Sequence, residues 1–203
     1  MNGNREILVG IDFSNASISA LRLSIDIANR TNSDVKMVWV ETVEKDPKEA
    51  EAILKDFCLT FRRSLGEKNI SYLITKGRKV HNALVKVINQ ERPFLVVIGT
   101  NGNSGYDERF AGANAYKTIA DSKVPILTIR ENFNFNKPLE GIVLPIDSTE
   151  ETRQKVPWII DFARMSDAKG KKDTSSPIGA YSLRHYDFQG ENFQRSILPA
   201  MVI

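Results

Sequence analysis

The sequence predicts an α/β fold: an open, five-stranded parallel sheet with helices on both faces. Two observations carry this expectation. Short apolar runs alternate with stretches of helical period as far as Arg130, the pattern of strands joined by crossover helices. One run, Phe94-Leu95-Val96-Val97-Ile98, is apolar throughout, as a strand buried on both faces must be.

The elements follow in order. Ile7 to Ile11 is a short apolar strand ending in Asp12, and Ser14 can cap the helix behind it. On that helix Ala20, Leu21, Leu23, Ser24, Ile27 and Ala28 share one broad face. Asn32-Ser33-Asp34 makes a turn into a second strand, Val35 to Val40. Pro47 suits the first turn of the next helix, whose stripe is Ala50, Ile53, Leu54, Phe57, Cys58, Phe61 and Leu65, with Gly66 near its end. Ile70 to Thr75 is a third strand, and Gly77 opens the loop after it. Val80, Leu84, Val87 and Ile88 mark a third helix that must stop before Pro93. After the strand Phe94 to Ile98, a short helix is expected over about Asn114 to Asp121, and Pro125 introduces a last strand, Ile126 to Arg130.

Composition excludes several classes of function. The 203 residues carry a net charge of only +3, too small and too dispersed to argue for nucleic acid. Cys58 is the one cysteine, so an internal disulfide or a cysteine-based zinc site is ruled out, and a small core residue is expected there. The start, Met1-Asn2-Gly3-Asn4-Arg5-Glu6, has no basic segment leading into an apolar core, so no secretion signal is expected. No apolar run reaches the roughly 20 residues that span a bilayer. A soluble cytoplasmic protein is the expectation.

The functional signal lies after the fourth strand. Gly99 to Ala115 reads G-T-N-G-N-S-G-Y-D-E-R-F-A-G-A-N-A, with glycines at 99, 102, 105 and 112. Glycines let a backbone bend tightly and approach a ligand closely. The N–H groups of a helix starting near Asn114 would face the same loop, which suits a phosphate. A flexible surface loop is the alternative. Ligands of open parallel sheets bind beyond the carboxyl ends of the strands, where the strand order reverses. Asp12 and the glycine loop both follow carboxyl ends, so they meet in one crevice if strands one and four are neighbours.

After a polar stretch over residues 132–138 the chain repeats itself. Ile7, Ile11, Asp12, Asp26 and Ala28 recur as Ile142, Ile146, Asp147, Asp161 and Ala163 at a constant offset of 135, a pattern that points to duplication. The repeat stops at Lys169. Residues 170–203 show no strand pattern until Ile197, and Pro157 falls inside the second copy's helix. The expected organisation is a domain over 1–131, a linker over 132–138, the start of a second domain over 139–169 and a divergent or frame-shifted tail over 170–203.

Ile7-Leu8-Val9-Gly10-Ile11-Asp12-Phe13-Ser14, Val38-Trp39-Val40 and the run of Gly99, Gly102 and Gly112 together resemble the universal stress protein family. Nucleotide-binding members carry G-x2-G-x9-G followed by Ser or Thr; here Ala113 replaces the hydroxyl residue. The resemblance covers about 4–131 as a whole domain and 139–169 as the start of a second, the tandem type. It implies a Rossmann-like fold that binds ATP, with a magnesium ion accompanying it, in a regulatory stress-response role without dedicated catalysis. By position, Asp12 and the backbone at Val40, flanked by Gly10 and Ile11, would meet adenine and ribose. Ile98, Gly99, Gly102, Asn103, Gly112, Ala113, Asn114 and Ala115 would surround the phosphates. Ala113 offers no hydroxyl, so weakened binding by about one to two decades is expected, and Asn103 supplies no positive charge beside the phosphates. The resemblance also implies a homodimer through the last strand, Ile126 to Arg130, whose apolar edge invites pairing.

Two other functions compete. One is an interaction module in which the glycine loop serves folding alone, which Ala113 favours. The other is a slow nucleotide hydrolase, with Asp107 and Glu108 as candidate magnesium ligands. His81, at a helix start, and His185, in the tail, give histidine chemistry little support.

Overall fold

The computed structural model describes residues 5–41, 43, 45–100, 117–118, 121–131, 141–145, 170–172 and 180–184. In chain order the elements are β1 (Arg5–Ile11), α1 (Asn15–Thr31), β2 (Ser33–Glu41), α2 (Pro47–Leu65), β3 (Ile70–Lys76), α3 (Val80–Glu91), β4 (Leu95–Thr100), β5 (Ile126–Arg130), β6 (Gly141–Pro145), β7 (Gly170–Lys172) and β8 (Ala180–Arg184). The chain divides into two compact units, the first over 1–133 with 199–203 and the second over 134–198.

In the first unit five strands pair in the order β3-β2-β1-β4-β5, and every neighbouring pair is parallel. This is the expected sheet. Its order reverses between β1 and β4. Parallel crossovers are right-handed, so the direction of travel across the sheet selects the face each helix covers. The steps β1 to β2 and β2 to β3 run one way and put α1 and α2 on one face. The return from β3 to β4 puts α3 on the other.

Side chains follow the strand period of two. Leu8, Val38, Val40, Val96, Ile98 and Ile126 pack with Ala83, Leu84, Val87 and Ile88 of α3. Their alternates Ile7, Val9, Val35, Met37 and Val97 are fully buried beneath the opposite face, where α1 buries Ala16, Ala20, Leu21, Ile27 and Ala28.

Local chemistry sets the helix ends. Ser14 Oγ accepts from Ser17 N and caps α1. Asn32, at φ 51°, closes that helix in the left-handed conformation. Asp46 Oδ1 accepts from Lys48 N at 2.7 Å, with Pro47 in the first turn of α2. Gly66 takes φ 64° at its other end, a conformation glycine adopts without penalty. Arg92 N donates to Ile88 O at 2.9 Å and ends α3, and Pro93 follows.

Several expectations are corrected. β2 begins at Ser33, because Asn32 alone reverses the chain and Ser33 already pairs with Arg5. On α1, Ile25 is buried and Leu23 only half-buried. On α2, Ala50, Leu54 and Leu65 are buried, but Ile53, Phe57, Cys58 and Phe61 are half-buried. The reason is position: α2 lies over β3, the edge of the sheet. Cys58 is therefore no core residue, although burial pushes its thiol pKa up, with Arg62 opposing. Helical backbone occurs at Lys117, Thr118 and Asp121; the rest of the helix expected from Asn114 lies outside the described residues.

In the second unit, β6, β8 and β7 pair antiparallel in that order. The absence of a strand after Lys169 is thus corrected by β7 and β8. Gly170-Lys171-Lys172 has no apolar alternation, and its pairing with Tyr181 to Leu183 makes it a strand. Of the repeat, Ile142 lies in β6, whereas Ile146, Asp147, Asp161 and Ala163 lie outside the described residues.

Candidate functional site

The register brings the carboxyl ends of β1, β2 and β4 to one level. Gly10 pairs with Ile98 and Ile11 with Trp39. Two residues past the first pair come Asp12 and Thr100; one residue past the second come Asp12 and Val40. The condition set by the sequence, that strands one and four be neighbours, is met at the reversal point. There, diverging loops leave a crevice in such sheets.

Asp12 is exposed. Its Oδ1 accepts from Ser14 N at 2.9 Å and from Ser14 Oγ at 2.5 Å. The carboxylate therefore holds the residue that caps α1, so a structural duty accompanies any contact with a ligand. Val40 and Ile98 are buried in the α3 cluster. Only their backbones can meet a ligand.

The two described glycines of the site differ in kind. A Cβ at Gly10 would lie 3.8 Å from Ile98 Cγ1 and 4.0 Å from Leu84 Cδ1, ordinary contact distances. A Cβ at Gly99 would strike the backbone of Ala16 and stand 2.5 Å from Ser17 N. Gly99 lets the first turn of α1 rest directly on β4. Gly102, Asn103, Gly112, Ala113, Asn114 and Ala115 lie outside the described residues, as do Asp107, Glu108 and His185. His81 is half-buried in the first turn of α3.

Beyond the crevice, Thr100 Oγ1 donates to Ile129 O at 3.4 Å. Asn15 Nδ2 donates to Glu131 Oε1 at 2.8 Å, and Ser19 Oγ to Glu131 O at 3.1 Å. The first bond ties β5 to β4, and the other two fasten the carboxyl end of β5 to α1.

Sequence reasoning missed Phe13. It holds φ 65°, a region that bulky residues rarely enter. Its ring lies 6.0 Å from Trp39 and 6.4 Å from Phe57, and Lys45 Nζ stands 5.2 Å over it. Strain at such a position amounts to about 1–3 kcal/mol, and it persists where surrounding contacts hold it. The available signal was a phenylalanine directly between Asp12 and the helix cap Ser14. Among the described residues no group of His, Cys, Asp and Glu could hold a metal ion, and no helix is long and apolar enough to cross a membrane.

A parallel sheet reversed between β1 and β4, with an acidic side chain at the reversal, defines a doubly wound α/β protein. The model of the universal stress protein family matches residues 3–130, and the chain belongs to that family. A universal stress protein solved in complex with cAMP is 21% identical with a TM-score of 0.54, over 64% of this chain and 100% of that one. The universal stress protein from Archaeoglobus fulgidus in complex with dAMP is 17% identical with a TM-score of 0.50, over 64% of this chain and 99% of that one. At these identities the likeness is one of fold. No curated protein is significantly similar to the chain.

Proposed function

We propose that the first unit binds an adenine nucleotide, ATP or a relative, in the crevice between β1 and β4, in a regulatory role without dedicated catalysis. The observation that carries this reading is the register that sets Asp12 level with Thr100 on adjacent strands. The chain enters the glycine-rich stretch directly after Thr100. Backbone N–H groups there would grip the phosphates. Asp12 would face the ribose or base with the oxygen that Ser14 leaves open, and the Val40 backbone would border the base. A magnesium ion would arrive with the triphosphate. The complexes of two relatives with cAMP and dAMP support the ligand class.

Isothermal titration of the full chain with ATP and AMP tests the proposal. Saturable heat that disappears in Gly112→Val, with the fold kept, is the expected result. No heat at millimolar nucleotide rejects it and favours the interaction module.

The remaining features of this reading are a homodimer through β5 and a cytoplasmic location. β5 pairs only with β4 among the described strands, which supports the dimer. Residues 139–169 are read as the start of a second stress-protein domain and 170–203 as its divergent or frame-shifted continuation, supported by the offset of 135. Translation of the coding DNA past codon 169 in the other two frames tests this: a valine-rich strand and a second glycine loop are expected in one of them.

A further inference from the structure

A hollow of about 880 Å³ opens at the carboxyl ends of β2 and β3, and its charged lining residues are Glu41, Lys45, Asp46, Lys76 and Arg78. Three of these residues are cations. The two acids are engaged: Glu41 pairs with Lys76 at 3.2 Å, and Asp46 caps α2. Lys45, half-buried, pairs with the more exposed Glu49 at 2.8 Å, a surface contact that contributes little. Arg78 is exposed and makes no ion pair among the described residues.

The hollow adjoins the crevice at two points. Glu41 follows Val40 directly, and Lys45 stands over the ring of Phe13, the neighbour of Asp12. In doubly wound sheets that bind dinucleotides, an acidic residue after the second strand meets the ribose hydroxyls, and a nearby arginine accommodates a phosphate on them. Here the acid at the end of β2 already pairs with Lys76 at 3.2 Å, so it is less free to accept from a ribose hydroxyl. Among the described residues, Lys45 and Arg78 line the same space.

We propose that this hollow receives a second phosphate carried on the ribose of the bound nucleotide, with Arg78 and Lys45 as its partners. The preferred ligand is then an adenine nucleotide phosphorylated at the 2′ or 3′ hydroxyl as well as at the 5′ position. This inference rests on the nucleotide reading above. It adds a selectivity which that reading does not contain.

Titration of the full chain with AMP, and with adenosine bisphosphates bearing the second phosphate at the 2′ or the 3′ hydroxyl, tests it. One bisphosphate should bind about tenfold tighter than AMP. Arg78→Ala should abolish that advantage and leave AMP affinity unchanged. Since Arg78 is exposed, the variant should keep its thermal midpoint. AMP binding with no gain from either bisphosphate overturns this inference alone, as does an advantage that survives in both Arg78→Ala and Lys45→Ala. Failure of all three ligands to bind overturns the nucleotide reading with it.

Discussion

The backbone of Ala16 fills the place that a side chain at Gly99 would need. The contact joins the first turn of α1 to the carboxyl end of β4, backbone against backbone.

Gly99→Ala should therefore destabilise the protein by about 2–3 kcal/mol, since backbone cannot yield as a flexible side chain can. Gly10→Ala, two strand residues before Asp12, should do the opposite. Its methyl meets Ile98 and Leu84 at ordinary distance, and a strand gains about 0.5–1 kcal/mol when glycine is replaced without strain. Urea unfolding of the two variants beside the parent protein checks both signs.

Phe13 offers a test of stored strain. Phe13→Ala and Phe13→Gly lose the same contacts with Trp39, Phe57 and Lys45, but only glycine relaxes at φ 65°. The glycine variant should be the more stable of the two by about 1 kcal/mol. Equal stability would show that the left-handed conformation is not retained without the ring.

Asp12→Asn separates the two duties of that residue. An amide oxygen can still accept from Ser14, so stability should fall by less than about 1 kcal/mol. The negative charge is lost, and AMP affinity should fall about tenfold. Titration with AMP and thermal melting, run on the same variant, read the two effects separately.

Lys36 predicts a pH dependence. Burial works against its charge, but hydrogen bonds to Glu91 and Glu6, at 2.5 and 3.0 Å, more than offset this and raise its pKa above the ordinary lysine value. A raised pKa in the folded state means the contribution is complete below the ordinary lysine value. It is lost as pH rises through the folded one. Lys36→Met should thus unfold at lower urea than the parent at about pH 8, and the gap should narrow as pH rises beyond the ordinary lysine value. A gap independent of pH would assign the effect to packing.

Much of the fold was legible because it is written in local period. The alternation of apolar runs with helical stripes, the cap at Ser14, Pro47 in the first turn of α2 and the stop before Pro93 are all short-range facts. The half-exposed face of α2 was not legible. Ile53, Phe57 and Phe61 have the same spacing whether the strand beneath is central or at the edge, and only the sheet order makes β3 the edge. β7 and β8 were missed for a related reason: a strand of Gly-Lys-Lys exists through its partner.

At the site, residue types along the chain determined that an acid ends the first strand and a glycine-rich stretch follows the fourth. Tertiary structure alone decided that these two strands are neighbours, that Gly99 answers to Ala16, that Phe13 sits in a strained conformation under Lys45, and that Glu41 pairs with Lys76. Each of these depends on which segments distant in sequence come to lie side by side. Hydrophobic period specifies that a face is buried, but it carries no information about what buries it.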